Sequence, residues 1–227
     1  MSGNVWTLSP SNFTFLWEEC RRCFYLEAVR NFRRPRAPMA KIFTRIDEEM
    51  RRHFHQRRTE EPLPELPPGV LDTTEYRVES APIALPGRTS ACVLKGKVDC
   101  IARFDNGSFA VVDFKTSAQN AEHMPLYARQ LHAYALALEN PAPGKLHLQP
   151  VTRLGLVVFE PAAFDTVPPN AAHLSGRLTW MELPKQEAAF RDFLAEVLAV
   201  LESPEPPASG RNCSYCAYRE ETRKTIF

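Results

Sequence analysis

The chain predicts an α/β (α+β) fold, a mixed sheet flanked by helices, on three observations. Apolar residues recur at helical spacing near both ends and in the middle of the sequence. Between these stretches lie segments rich in β-branched and aromatic residues, two of them joined by the turn Asp105-Asn106-Gly107. In order the segments read α-α-β-β-β-α-β-β-α, an interleaving that covers a sheet with helices. With 227 residues, 44% of them hydrophobic, the chain can bury a full core as a single domain over 1–227.

Each element has its own warrant. Leu8-Ser9-Pro10-Ser11 marks a helix start, with Ser9 at the cap and Pro10 in the first turn. Phe13, Leu16, Trp17, Cys20, Phe24 and Ala28 continue that helix to about residue 30. Residues 33–38 form a basic, proline-punctuated linker. A second helix is expected over 39–56, with Ile42, Phe43, Ile46 and Met50 on its buried stripe. Residues 60–68 carry four prolines among acids and predict a surface loop. Strands are expected over 74–85, 91–104 and 109–115, a helix over 124–138, strands over 153–159 and 177–183, and a long helix over 185–201. No internal repeat is present.

Charge narrows the function classes. Lys and Arg number 28 against 27 Asp and Glu, a net charge of +1, so nucleic-acid binding would need a local patch rather than a global basic field. Arg21, Arg22, Arg30, Arg33, Arg34 and Arg36 supply one such stretch, which serves equally as a solvated helix face. The opening MSGNVWTLSPSNFTFLW lacks a basic region followed by an apolar core. No run approaches the ~18 apolar residues of a membrane span. A cytoplasmic location is the expectation, where paired cysteines more often hold metal than form disulfides.

Two acids and a lysine stand out in GKVDCIARFDNGSFAVVDFKTS. Asp113 and Lys115 share a strand face, because side chains alternate with period two. Whether Asp99 joins them depends on the turn. A two-residue Asn-Gly loop would set Asp99 opposite Phe114 and part the acids. A three-residue loop with Gly107 in the left-handed region sets Phe104 opposite Ser108 and Asp99 opposite Asp113. The second form is expected, since it also turns Val112 and Phe114 toward the core. Converging in this way, Asp99 and Asp113 offer hard oxygen ligands to Mg²⁺ or Mn²⁺, and Lys115 offers an ammonium for water or developing charge. The bland alternative is a pair of solvated acids on an exposed sheet face. On the following helix Gln130 and Tyr134 lie four apart and share a face; alone, they fit an ordinary helix surface.

Cys20 and Cys23 lie three apart, as do Cys213 and Cys216. Two such pairs supply four soft thiolates, suited to tetrahedral Zn²⁺ or to a cubane iron–sulfur cluster. Their wide separation would tie the two ends of the chain together. Cys92 and Cys100 lie on strands and are expected to be ordinary buried thiols.

Together these segments resemble the PD-(D/E)xK nuclease superfamily, in particular its RecB-like branch with iron–sulfur members, which includes AddB-type subunits and the small nucleases of CRISPR adaptation. LSPSNFTFLWEECRRCFYLEAV is similar to the N-terminal cysteine helix, GKVDCI to the second motif, VVDFKTS to the third, YARQLHAYALALE to the Q-x-x-x-Y helix and NCSYCAYRE to the C-terminal cluster segment. The resemblance implies a restriction-endonuclease-like sheet, with a catalytic core over 72–160 and a cysteine-cluster region formed by 1–38 and 202–227. It implies Asp99, Asp113 and the main-chain carbonyl of Phe114 as Mg²⁺ or Mn²⁺ ligands, with Lys115 as the catalytic amine. Gln130 and Tyr134 would line the path of a DNA substrate, and Cys20, Cys23, Cys213 and Cys216 would hold a structural 4Fe–4S cluster, with Zn²⁺ the alternative. The implied activity is metal-dependent DNA cleavage, exonucleolytic or on single strands or flaps, in repair, recombination or CRISPR adaptation, alone or with other proteins of those systems.

Two departures are visible. Relatives present a histidine on the second helix, whereas MAKIFTRIDEEM has Phe43 there, with Asp47, Glu48, His53 and His55 following. Cluster-bearing relatives commonly draw three cysteines from the tail, whereas here the tail has two and Cys23 supplies the other. Phe43 supports a second hypothesis, a nuclease-like DNA-binding or assembly module that does not cut. A zinc-stapled interaction domain is a third.

Overall fold

The computed structural model describes residues 3–35, 40–116 and 123–225. Its architecture is mixed α/β, two sheets flanked by helices, as the sequence predicts. In the smaller sheet β1 (Val5–Leu8) runs parallel to β5 (Ala91–Val98), and β3 (Tyr76–Glu79) and β4 (Ile83–Ala84) run antiparallel to β5. The larger sheet has the order β2 (Gly69–Asp72), β6 (Cys100–Phe104), β7 (Phe109–Lys115), β8 (Val151–Val167) and β9 (Ala171–Leu183). Only β7 and β8 are parallel there; the other neighbours are antiparallel.

The helices are α1 (Phe15–Glu19), α2 (Arg21–Arg30), α3 (Lys41–Phe54), α4 (Met124–Glu139), α5 (Glu187–Leu201) and α6 (Ser214–Lys224), with a 3₁₀ turn at Pro10–Phe13. Both faces of the larger sheet are covered, so its strands read as near-continuous apolar runs. On one face Ile101, Val111, Leu154 and Leu156 meet Leu131, Ala135 and Leu138 of α4 and Leu194 and Leu198 of α5. On the other, Cys100, Ala102, Val112, Phe114 and Val157 meet Met50 and Phe54 of α3, with Leu63 and Leu66. Phe54 and Phe114 stack with ring centroids 5.5 Å apart.

Several boundaries differ from expectation for tertiary reasons. The strand expected over 91–104 is two strands in different sheets, and Asp99 is the residue between them. The first helix breaks at Cys20, whose extended backbone (φ −164°, ψ 100°) makes it the N-cap of α2. The loop over 60–68 is not wholly on the surface, because Leu63 and Leu66 plug the α3 face of the sheet. In the first turn of α3, Ile42 is 57% and Phe43 48% exposed in place of the expected burial. Met39 lies outside the described residues. The strands expected over 153–159 and 177–183 continue into a two-stranded ribbon beyond the sheet, on which Phe164 is 70% exposed. A register shift between Pro161 and Ala163 breaks the alternation that would have revealed it. The cysteine-bearing tail contains α6, a helix that its polar sequence does not announce.

Candidate active site and four-cysteine metal centre

The turn between β6 and β7 aligns the two acids. Gly107 adopts φ +83°, its N–H bonds the Phe104 carbonyl at 2.9 Å, and the Phe104 N–H bonds the Ser108 carbonyl at 2.9 Å. The ladder then pairs Arg103 with Phe109, Ala102 with Ala110, Ile101 with Val111 and Cys100 with Val112. One further step in this register sets Asp99 across from Asp113, the three-residue arrangement. Strand alternation directs the Phe114 carbonyl to the β6 side, beyond the last rung of that ladder.

Asp113 is not a solvated acid: it is 3% exposed, beneath α4. Gln130 Nε2 donates to its Oδ1 at 3.5 Å and to the Tyr134 hydroxyl at 3.4 Å. Both α4 residues are buried, so the helix face they share is an inner one. The opposing backbone is Gly96, where an added Cβ would lie 2.9 Å from Tyr134 Cε1, so a glycine there makes room for the tyrosine. Lys115, with a side chain 25% exposed, forms an ion pair with Asp113 Oδ2 and lies 5.2 Å from the ring centroid of Tyr127. That oxygen, buried as it is, is held by the Lys115 ammonium.

Charge in the site is unbalanced toward the acids. Burial, then the charge and hydrogen bonding of Asp113, push the Asp99 carboxyl up to about 7. Burial works against the Lys115 ammonium, but the Asp113 charge outweighs it and its pKa is raised. Arg51 on α3 also feels Asp99, although it pairs with Asp47 and, at 2.5 Å, with Glu75. Two close carboxylates, one of them raised by burial and by the charge of the other, offer hard oxygens that fit a divalent cation. Among the described residues no third His, Cys, Asp or Glu completes a metal-holding group with them. Asp47 is taken by Arg51, Glu48 by Arg45, and His55 Nδ1 by Thr73 Oγ1 at 3.1 Å. Sequence reasoning missed Tyr127 and Arg51. Tyr127 could have been found, since it precedes Gln130 by three and Tyr134 by seven on one helix face.

The four cysteines converge from the far ends of the chain. Cys20 and Cys23 at the start of α2 meet Cys213 and Cys216 at the start of α6, all four buried and within 4.8 Å of one another. The Gly210 N–H reaches Cys20 Sγ at 3.2 Å, and Arg34 Nη2 reaches Cys213 Sγ at 3.4 Å. Burial opposes ionisation of Cys20, but the Gly210 and Cys23 backbone groups and the Cys213 side chain bring it down to about 7. Burial and the neighbouring thiols push Cys216 up. Arg34 also pairs with Glu19 and lies 4.8 Å over the Tyr215 ring, while its buried Nε has no hydrogen-bond partner among the described residues. Elsewhere in the basic stretch Arg21 pairs with Glu196 at 2.7 Å, Arg22 bonds the Pro207 carbonyl, and Arg33 pairs with Glu27, while Arg30 is exposed. Arg36 lies outside the described residues. Cys92 and Cys100 are buried thiols, with burial pushing Cys92 up to about 12 and Cys100 up as well.

The profile of the PD-(D/E)XK nuclease superfamily matches residues 24–220, which take in Asp99, Asp113, Lys115, Gln130 and Tyr134. The chain belongs to the PD-(D/E)XK nuclease superfamily. The matched span also includes Cys213 and Cys216 and leaves out Cys20 and Cys23. The crystal structure of SSO0001 is similar in fold, with TM-score 0.50 and 17% identity over 97% of this chain and 87% of that one. No curated protein matches in sequence. Among the described residues no helix is long and apolar enough to cross a membrane.

Proposed function

We propose that this PD-(D/E)XK protein is a divalent-metal-dependent deoxyribonuclease of the RecB-like branch. The observation that carries the proposal is the register of β6 and β7, which brings Asp99 and Asp113 together with Lys115 on one of them. Asp99, Asp113 and the Phe114 carbonyl would hold Mg²⁺ or Mn²⁺. Bound there, the ion polarises a phosphate and lowers the pKa of its water. Lys115, kept cationic by Asp113, orients that water or offsets the charge that develops on the phosphorane. Gln130 fixes the Asp113 carboxylate through Oδ1, and Lys115 pairs with its Oδ2. Tyr134 fixes Gln130, so substrate contact and ligand positioning run along one helix face. The family resemblance supports DNA with free ends, single strands or flaps as the substrate, in repair, recombination or CRISPR adaptation. A cytoplasmic setting belongs to the same proposal.

End-labelled single-stranded DNA, incubated with purified protein and Mn²⁺ with and without chelator, tests this. Cleavage should require the metal, and Asp113→Asn should lower it at least about 100-fold while circular dichroism stays unchanged. Undiminished cleavage by that variant sinks the assignment. The exposed Phe43 and the two-acid ligand set favour a second function, a DNA-binding module that does not cut. That module would bind the same DNA and leave it intact at every metal concentration.

A further inference from the structure

The resemblance implies a 4Fe–4S cluster at the four cysteines, and the sulfur positions do not fit one. Cys20 Sγ lies 3.7 Å from Cys216 Sγ, and Cys23 Sγ lies 3.7 Å from Cys213 Sγ and 3.6 Å from Cys216 Sγ. Every separation is within 4.8 Å. Four thiolates about 2.3 Å from a single ion at tetrahedral angles stand about 3.8 Å apart. A cubane gives each thiolate its own iron, and similar bonds radiating from four corners spread the sulfurs to roughly 6 Å.

We propose that Cys20, Cys23, Cys213 and Cys216 bind one tetrahedral Zn²⁺ and assemble no iron–sulfur cluster. The surroundings give the sulfurs little room to separate. An added Cβ on Gly210 would lie 2.1 Å from the Glu19 carbonyl, so two backbones already touch where Gly210 reaches Cys20. Across the site Arg34 is clamped between Glu19 and the Tyr215 ring while it bonds Cys213. Four thiolates around Zn²⁺ carry an excess of two negative charges, and the half-buried Arg34 guanidinium and the Gly210 N–H lie where that excess is felt. With all four positions filled by sulfur the site is closed, which is the arrangement of a structural zinc rather than a catalytic one. Zinc has no redox chemistry and no geometric preference to oppose this tetrahedron, so a reduced thiolate set of this size suits it.

The inference rests on reading the cysteines as a metal centre and is independent of the nuclease proposal. The test is metal and acid-labile sulfide analysis of protein purified anaerobically from medium containing both iron and zinc. One zinc per chain, no sulfide and no visible colour is the expected result. Cobalt substitution should then give the ligand-field bands of a tetrahedral thiolate site, and Cys216→Ser should lose the bound metal. About four irons with matching sulfide, a single iron, or no metal at all would overturn it. If Cys216→Ser does not fold, the wild-type stoichiometry decides alone. Asp113→Asn should keep its zinc, so a failed cleavage assay and a failed zinc assignment remain separable.

Discussion

At Asp99 the chain passes from one sheet to the other, and its carboxyl meets that of Asp113, which with burial raises its pKa from 3.8 to about 7. A raised acid holds its proton more tightly folded than unfolded. Without metal, the stability this contributes is full below about pH 4 and is lost as pH climbs through about 7. Each tenfold gain in proton affinity is worth about 1.4 kcal/mol, and partial exposure of Asp99 discounts the sum, so about 1–2 kcal/mol is expected between pH 5 and 8. Urea denaturation of metal-free protein should show the wild type losing that amount relative to Asp99→Asn across this range. Mg²⁺ needs the ionised form, so the stabilisation it adds should grow over the same interval. Equal pH slopes for wild type and variant would mean that the Asp99 carboxyl is not raised on folding.

The element that makes Asp99 and Asp113 neighbours is the Asp105-Asn106-Gly107 turn. A Cβ at Gly107 would meet nothing within 4 Å, so Gly107→Ala carries only the backbone cost of φ +83°. That cost is about 1 kcal/mol. The register should survive, with thermal unfolding showing the loss and metal-dependent cleavage per folded molecule unchanged. Falling cleavage without falling stability would show that the turn had rearranged instead. This part of the site was legible in sequence, because period-two alternation fixes Asp113 and Lys115 on one face and a glycine at the third turn position selects the register. The switch of sheets at Asp99 was not, since 91–104 contains no proline and no turn-length break, and only tertiary pairing divides it. Nor was the burial of Gln130 and Tyr134, because the later turns of α4 are buried on every side and leave no polar stripe to mark an inner face. The pairing of the cysteines was legible from spacing alone; the short distances between their sulfurs were not.

Across the whole molecule, the metal proposed for the four cysteines would close a loop of about 190 residues, from Cys23 to Cys213. A covalent crosslink over such a length stabilises by about 5 kcal/mol in the chain-entropy account. Removing the metal should cost less, because the N-terminal helices have a second hold on the body. Phe13 meets Phe193 at 5.4 Å, Trp17 meets Phe193 at 5.6 Å, and Trp17 meets Phe24 at 5.1 Å, so aromatic packing binds α1 and α2 to α5 without any ion. The C-terminal helix lacks this support: Cys216 is its one buried residue. An isolated helix of 11 residues is too short to persist alone in water. Metal removal should therefore release α6 first, as local unfolding rather than global collapse. Hydrogen exchange on chelator-treated protein should quicken over residues 213–224 while α2, α4 and β7 stay protected. Uniform loss of protection across α2 and α6 together would show that the aromatic cluster cannot hold the N-terminal helices without the metal.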